Sequence, residues 1–154
     1  MFLYSTLLTF HSYYRWFVVF LLFFQIIWLI YHSYVDSTFR AKHLQLLLLC
    51  AFLYDVQFIA GWILYFQSTL AQQFWVDPSS MVKLRDVRFF GIEHMTMMTL
   101  CVLLINTLVW INRKKVGRKN VFSNLLKWHA LLAVVVLGSI PWSFSPFTHR
   151  PNFR

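Results

Sequence analysis

The sequence predicts an all-α fold, an integral membrane up-down-up-down four-helix bundle formed as a single domain over residues 1–154, and three observations predict it. Apolar residues make up 59% of the chain and charged ones 12%, whereas soluble domains carry about 25% charged residues. Four apolar windows, at residues 13–31, 44–66, 89–111 and 124–144, lie near the roughly 20 residues that cross a hydrocarbon core of about 30 Å. Two of the three connections between these windows are short, which favours antiparallel neighbours. The 17 Phe, 7 Trp and 7 Tyr would overfill a soluble core of this size, but lipid-facing surfaces and interfacial belts use such side chains readily.

Taken in order, the first window holds no Gly or Pro. It lacks a basic leader and a small-residue cleavage site, so it reads as a retained helix, and the apolar residues 1–10 can extend it outward. The second window carries Asp55 near its centre and Gly61 further on. In the long middle connection, Asp77-Pro78-Ser79-Ser80 reads as a turn with Ser79 or Ser80 capping a helix that starts near Met81. Lys83, Arg85, Asp86 and Arg88 then form a charged prelude at the headgroups. The third window opens with Arg88-Phe89-Phe90-Gly91-Ile92-Glu93-His94. In the fourth, Pro141 stops or kinks the helix. Cys50 and Cys101 fall inside windows as small apolar residues, and no CxxC pair is present.

The formal charge of +9 sits at the ends of the apolar runs, which is a topology signal and gives no nucleic-acid-binding stripe. Arg40, Lys42, Arg113, Lys114, Lys115, Arg118, Lys119 and Lys127 share the face of the first and third connections. Arg15, Lys83, Arg85, Arg88, Arg150 and Arg154 share the other. The excess on the first face is expected to be cytoplasmic, with both termini outside the cytoplasm. No Ser, His and acid arrangement or glycine-rich phosphate loop suggests a hydrolase or transferase, and no repeated pore signature suggests a channel.

This topology gathers His11, Arg15, Gln57, Gly61, Tyr65, Arg88, Glu93, His94, Trp142, His149 and Arg150 at the outer face. His11 and His94 stand on helices that are diagonal in such a bundle, and facing imidazoles of that kind can ligate a haem iron. Arg15, Arg88 and Arg150 would balance haem propionates. Gln57 and Glu93 would orient ligands or line a quinone-accessible cleft. Asp55, deep in its window, needs a partner: Arg15, His94 or a Ser or Thr hydroxyl. It serves either interhelical packing or, as the sharper alternative, a proton relay. At the inner face His43 and His129 lie on the other diagonal, where a second haem competes with ordinary interfacial histidines, as at His32. Met95, Met97 and Met98 beside His94 raise cuprous copper against plain packing.

Four pieces together, His11-Ser12-Tyr13-Tyr14-Arg15-Trp16, Asp55-Val56-Gln57 with Gly61 and Leu64-Tyr65-Phe66, Arg88-Phe89-Phe90-Gly91-Ile92-Glu93-His94, and Ile140-Pro141-Trp142-Ser143-Phe144 with Arg150-Pro151, resemble a family of small four-helix bacterial membrane proteins labelled cytochrome b-like. The resemblance covers nearly the whole chain in order and spacing. Phe10 stands where the family's first motif often has a second histidine, and His43 and His129 match no position of the pattern. The resemblance marks His11, Arg15, Asp55, Gln57, Arg88, Glu93, His94 and Arg150 as pattern positions. It implies a bacterial inner-membrane protein that binds haem b and moves electrons in respiratory-type transfer. The alternative is a cofactor-free accessory or scaffold subunit of a larger membrane complex, whose polar cluster pairs Arg15 and Arg88 with Asp55 or Glu93.

Overall fold

A computed structural model describes residues 2–142, so Met1 and residues 143–154 lie outside it. Every regular element among the described residues is helical, in the order α1 (Phe2–Tyr34), α2 (Ala41–Gln67), α3 (Thr69–Val76), α4 (Pro78–Met81), α5 (Arg85–Arg88), a π-helical turn (Phe89–Glu93), α6 (His94–Asn112), a 3-10 turn (Arg113–Lys115) and α7 (Val121–Ser139). Four stretches, Phe2–Tyr34, Ala41–Gln67, Arg85–Lys115 and Val121–Ser139, are long and apolar enough to cross a membrane.

The apolar lead of the chain does continue the first helix. Its 33 residues rise about 50 Å at 1.5 Å each, so α1 overshoots a hydrocarbon core. The second helix starts where the Arg40 N–H donates to His43 Nδ1 at 3.0 Å, which satisfies a backbone donor at its N-terminus. The fourth ends at Ser139, with Ile140 extended ahead of Pro141, because the proline ring disfavours a helical residue before it. Trp142 Nε1–H then donates to the Leu137 carbonyl at 2.7 Å, satisfying an open helix-end acceptor.

The middle connection differs most from expectation. It folds into two short helices, the first capped by Ser68 Oγ, which accepts from the Ala71 N–H at 3.4 Å. The cap of the second is Asp77, not Ser79 or Ser80. Pro78 takes the first helical position, so the capping role falls to the residue before it. Asp77 Oδ1 accepts from the Ser79 hydroxyl at 2.6 Å and the Ser80 N–H at 3.3 Å. These donors hold its carboxyl below the usual range. The third long helix therefore begins at Arg85 rather than near Met81.

The long helices pack in a closed cycle, α1 on α2, α2 on α6, α6 on α7 and α7 on α1. One end of this cycle is solid. Leu29, Phe39, Leu47, Leu108, Phe122 and Leu125 form a buried cluster there. Phe39, from the first connection, is fully buried and pinned by its backbone: its N–H donates to the Arg118 carbonyl at 2.9 Å, and the Gly117 N–H donates to its own carbonyl at 2.7 Å. Gly117 takes a φ of +89° to make that reach, a conformation glycine adopts without steric cost. The opposite end, where α3 and the π turn lie, is hollow.

Candidate functional site

The stretch Phe89–Glu93 leaves the α-helical path for one π turn, so that the His94 N–H donates back to the Phe89 carbonyl. A π turn shifts the phase of every side chain after it, and such turns recur at functional sites. Two contacts hold it. The Tyr65 hydroxyl donates to the Gly91 carbonyl at 2.8 Å, and Trp75 Nε1–H in turn donates to the Tyr65 oxygen. Gly91 also runs against Phe74 of α3: a Cβ built there would fall 2.4 Å from Phe74 Cβ. The absence of that atom lets α3 seat on the turn.

Beyond the turn, His94 Nδ1–H donates to the Ser139 carbonyl of α7 at 2.7 Å. This bond fixes the tautomer and leaves the lone pair on Nε2, the arrangement usual for a metal-ligating histidine. The rings of Phe89 and Phe90 flank the imidazole, with centroids 5.6 and 6.4 Å away. On α1, His11 lies against Gly61 of α2, where an added Cβ would stand 3.2 Å from its Cε1. Gln57 Nε2–H donates to the His11 carbonyl at 3.0 Å and approaches His11 Nε2 at 3.5 Å. Among the described residues neither His11 Nδ1 nor Gln57 Oε1, both buried, finds a hydrogen-bond partner.

Both imidazoles line one cavity of about 430 Å³, to which all four long helices contribute wall residues. That volume falls in the range of about 300–1,000 Å³ typical of small-molecule sites. Its wall is mainly apolar, with Leu8, Val19, Leu22, Val102, Ile105 and Leu132, and its polar groups are few: Tyr4, His11, Arg15, Tyr54, Gln57, Tyr65, Ser68, Thr69 and His94. Arg15 lies within electrostatic reach of both imidazoles. His11 and His94 thus come from helices that are not neighbours in the packing cycle, and they meet through the space between them. Because His11 is held in place by the small size of Gly61, Gly61→Ala is expected to displace the imidazole and weaken any ligand shared with His94 about 10-fold, the lower end of support-residue effects; titration of the purified variant with that ligand checks it.

Other candidate residues fall elsewhere. Arg88 and Glu93 do not line the cavity. They pair with each other, Nε to Oε1 at 2.6 Å, in a bridge more than a third exposed on both sides, and Arg88 Nη1–H also donates to the Val82 carbonyl at 3.1 Å. Arg88 is therefore neutralised locally by Glu93, the pairing of the accessory-subunit alternative, instead of standing at the cavity to balance propionates. Asp55 takes neither Arg15, His94 nor a hydroxyl. It accepts from Asn106 Nδ2–H of α6 at 2.9 Å, outside the cavity. Arg150 and His149 lie outside the described residues.

At the solid end no comparable space separates His43 and His129. His43 packs among His32, Trp28 and Phe122, with ring centroids 4.8, 5.8 and 5.2 Å away, and its Nδ1 is taken by the Arg40 N–H. His129 Nδ1–H donates to the Leu125 carbonyl at 2.8 Å. Of the methionines, Met95 and Met98 line the cavity, while Met97 is exposed. Among the described residues no group of three or more His, Cys, Asp or Glu converges as a metal site.

Four groups escape the sequence reading. The Ser139 carbonyl is backbone and leaves no signature. Tyr54, a wall residue, donates its hydroxyl to the buried Gln25 Oε1 of α1. Gln25 and Asn106 each carried a readable signal, a polar side chain inside an apolar window. No family model, curated protein or solved structure matches the chain, and the case for a ligand site rests on the residues of the cavity themselves.

Proposed function

We propose that the chain is an up-down-up-down four-helix bundle of a bacterial inner membrane, both termini outside the cytoplasm, that binds one haem b between His11 and His94 and serves electron transfer. The membrane part is supported by the four long apolar helices and by large side chains exposed along them, among them Phe20, Ile27, Phe52, Leu103, Trp110 and Val134. Contiguous apolar surface on that scale calls for lipid or a partner. The orientation follows the excess of basic residues at the first and third connections.

One observation carries the haem reading: imidazoles from two non-adjacent helices share a mainly apolar cavity, one with its Nδ1 proton committed to a backbone carbonyl. The donor chemistry fits the group. A second imidazole in the same wall, that of His11, has a buried Nδ1 without a partner among the described residues, and two axial nitrogens suffice for haem iron.

Bound haem would supply a one-electron iron couple within reach of a membrane quinone. The chain's own residues do the rest. The Ser139 carbonyl orients His94. Gln57 and Gly61 hold His11 against α2. Arg15 offers a cationic side chain of the cavity wall to the propionates, a role from which the salt bridge to Glu93 withdraws Arg88. The apolar wall excludes water, which shapes the potential of a buried couple.

The test is an absorption spectrum of the full-length protein purified after expression with ample haem. A Soret band with a reducible low-spin form is expected. Stable haem-free protein would overturn the reading and leave the cofactor-free accessory subunit, to be sought by co-purification with a partner complex.

A further inference from the structure

The solid end of the bundle carries a charge imbalance that haem binding does not use. Of the eight basic residues of the first and third connections and their flanks, only Lys119 has a carboxylate partner among the described residues, Asp36 at 2.9 Å. The other acidic residues, Asp55, Asp77, Asp86 and Glu93, lie at mid-helix or toward the hollow end. The remaining cations are therefore unopposed, and all of them except Lys115 are exposed.

These cations do not hang on loose loops. The Phe39 N–H donates to the Arg118 carbonyl at 2.9 Å and the Gly117 N–H to the Phe39 carbonyl at 2.7 Å, so the two connections are stitched side by side. The buried Phe39 ring anchors the stitch in the core. Arg40 follows Phe39 in the chain, so its backbone lies within one residue of Arg118 across the seam. Two like charges are thus held close before any ligand arrives, and fixing them costs binding little further entropy.

Depth along the helices places this plate. The Arg113 guanidinium lies over the Trp110 ring, 5.3 Å from its centroid, a cation–π contact that draws the charge back along α6 instead of out into water. Trp110 and Trp128 are both exposed, and they stand roughly 7–11 Å along their helices from Lys115 and Val121 at 1.5 Å per residue. The polar layer on each side of a bilayer's hydrocarbon is about 5–8 Å thick. With both rings at the inner boundary of that layer, where Trp is enriched, the cations are level with the lipid phosphates.

We propose that this plate binds the headgroups of anionic phospholipids in the leaflet it faces, with Arg40 and Arg118 at the seam and Arg113 at the rim, a role that rests on the membrane placement above and not on haem. Charge complementarity selects the occupant. An unopposed Lys or Arg near the surface gains from an anionic lipid and little from a zwitterionic one, and the cytoplasmic leaflet is the anionic side. A soluble acidic partner would first have to displace the headgroups.

The experiment uses the full-length protein, tested for resistance to alkaline carbonate extraction from native membranes and then stripped of lipid in a neutral detergent. It is titrated with phosphatidylglycerol, phosphatidylcholine or inorganic phosphate, and native mass spectrometry counts the bound molecules. Phosphatidylglycerol should bind at least about 10-fold more tightly than phosphatidylcholine, with the preference shrinking as salt rises. Arg40→Gln with Arg118→Gln should reduce the preference about 10-fold, while Lys83→Gln with Arg85→Gln, at the opposite end, should leave it unchanged. Gly117→Ala removes no charge. Its φ of +89° is disfavoured for Ala, and among the described residues nothing lies within 4 Å of the added Cβ, so it strains the stitch alone and should lower the preference about 3-fold. Circular dichroism checks each variant, and the wild-type comparison stands even if one fails to fold. Protein released by carbonate would overturn the membrane placement and the lipid role with it. In retained protein, the lipid role alone would be overturned by equal affinity for the two lipids, by an equal loss in the opposite-end variant, or by a preference untouched in Gly117→Ala. Inorganic phosphate bound as tightly as phosphatidylglycerol, or a co-purified acidic protein released by the Arg40→Gln and Arg118→Gln pair in place of lipid, would overturn it as well.

Discussion

His94→Ala is expected, on the proposed haem reading, to abolish the low-spin spectrum of the purified protein, with haem affinity reduced at least about 100-fold, since removal of a residue that merely supports a ligand already costs about 10–100-fold. The geometry singles out this imidazole. Its Nδ1 proton is committed to the Ser139 carbonyl, so the substitution removes both the Nε2 lone pair and the bond that ties α6 to the end of α7. His11→Ala removes a less tightly held ring, whose side-chain nitrogens make only a 3.5 Å approach to Gln57. It should cost less affinity and convert the spectrum from six-coordinate low-spin to high-spin. His43→Ala and His129→Ala, at the solid end, should keep the wild-type spectrum while lowering the melting temperature through lost packing. Circular dichroism on each variant separates lost ligand from lost fold. A His94→Ala protein with a normal low-spin spectrum would sink the assignment, and loss of the spectrum in His43→Ala alone would move the site to the other end of the molecule.

The sequence reading placed the long helices well because hydropathy over twenty residues is a strong and local signal. At α-helical spacing His94 shares a stripe with Met97, Met98 and Cys101; since α6 is regular from His94 onward, His94, Met98 and Cys101 do line the cavity, while Met97 falls outside it and is exposed. Failures concentrate before that point, where the helix is not regular. Arg88 and Glu93 are five apart, and on an α-helix at about 100° per residue they would point well away from each other. The π turn brings them together as a salt bridge. Spacing on an α-helix does not favour this pair, which entered only among the pairings of Arg15 and Arg88 with Asp55 or Glu93 in the accessory-subunit alternative. The haem reading gave Arg88 to the propionates and Glu93 to orienting ligands or lining a cleft. The short helix α3 was missed for a related reason. Its apolar face is only Ala71 and Phe74, too little for a periodic signal, and its seat depends on a backbone deviation 15 or more residues later. Asp55 was legible as a residue in need of a partner, but which side chain faces it is a matter of interhelical register, which one sequence does not encode locally.

Gly91→Ala tests that seat directly, and it is expected to destabilise the protein by about 2–4 kcal/mol, the sum of overpacking at about 1–3 kcal/mol and weakening of a hydrogen bond worth about 1 kcal/mol. The new methyl would meet Phe74 Cβ at 2.4 Å, Cγ at 2.6 Å and Cδ2 at 3.1 Å. The nearest of these is fixed to the backbone of α3, so no rotamer change relieves it, and either α3 lifts or the π turn shifts. Either movement strains the Tyr65 bond to the Gly91 carbonyl and changes the direction in which His94 leaves the turn. Loss of stability should therefore come with weaker haem binding, although Gly91 itself is not part of the cavity wall. Phe74→Ala in the Gly91→Ala background should not rescue stability, because Cβ persists, whereas Phe74→Gly should recover part of it. Gly138→Ala is the control. Among the described residues nothing beyond its own helix backbone and chain neighbours lies within 4 Å of its added Cβ, so there the usual preference of a helix for Ala over Gly, about 0.5–1 kcal/mol, should raise stability. Thermal unfolding in one detergent compares the set, and a Gly91→Ala protein that melts with Gly138→Ala above the wild type would show that α3 does not sit on the π turn.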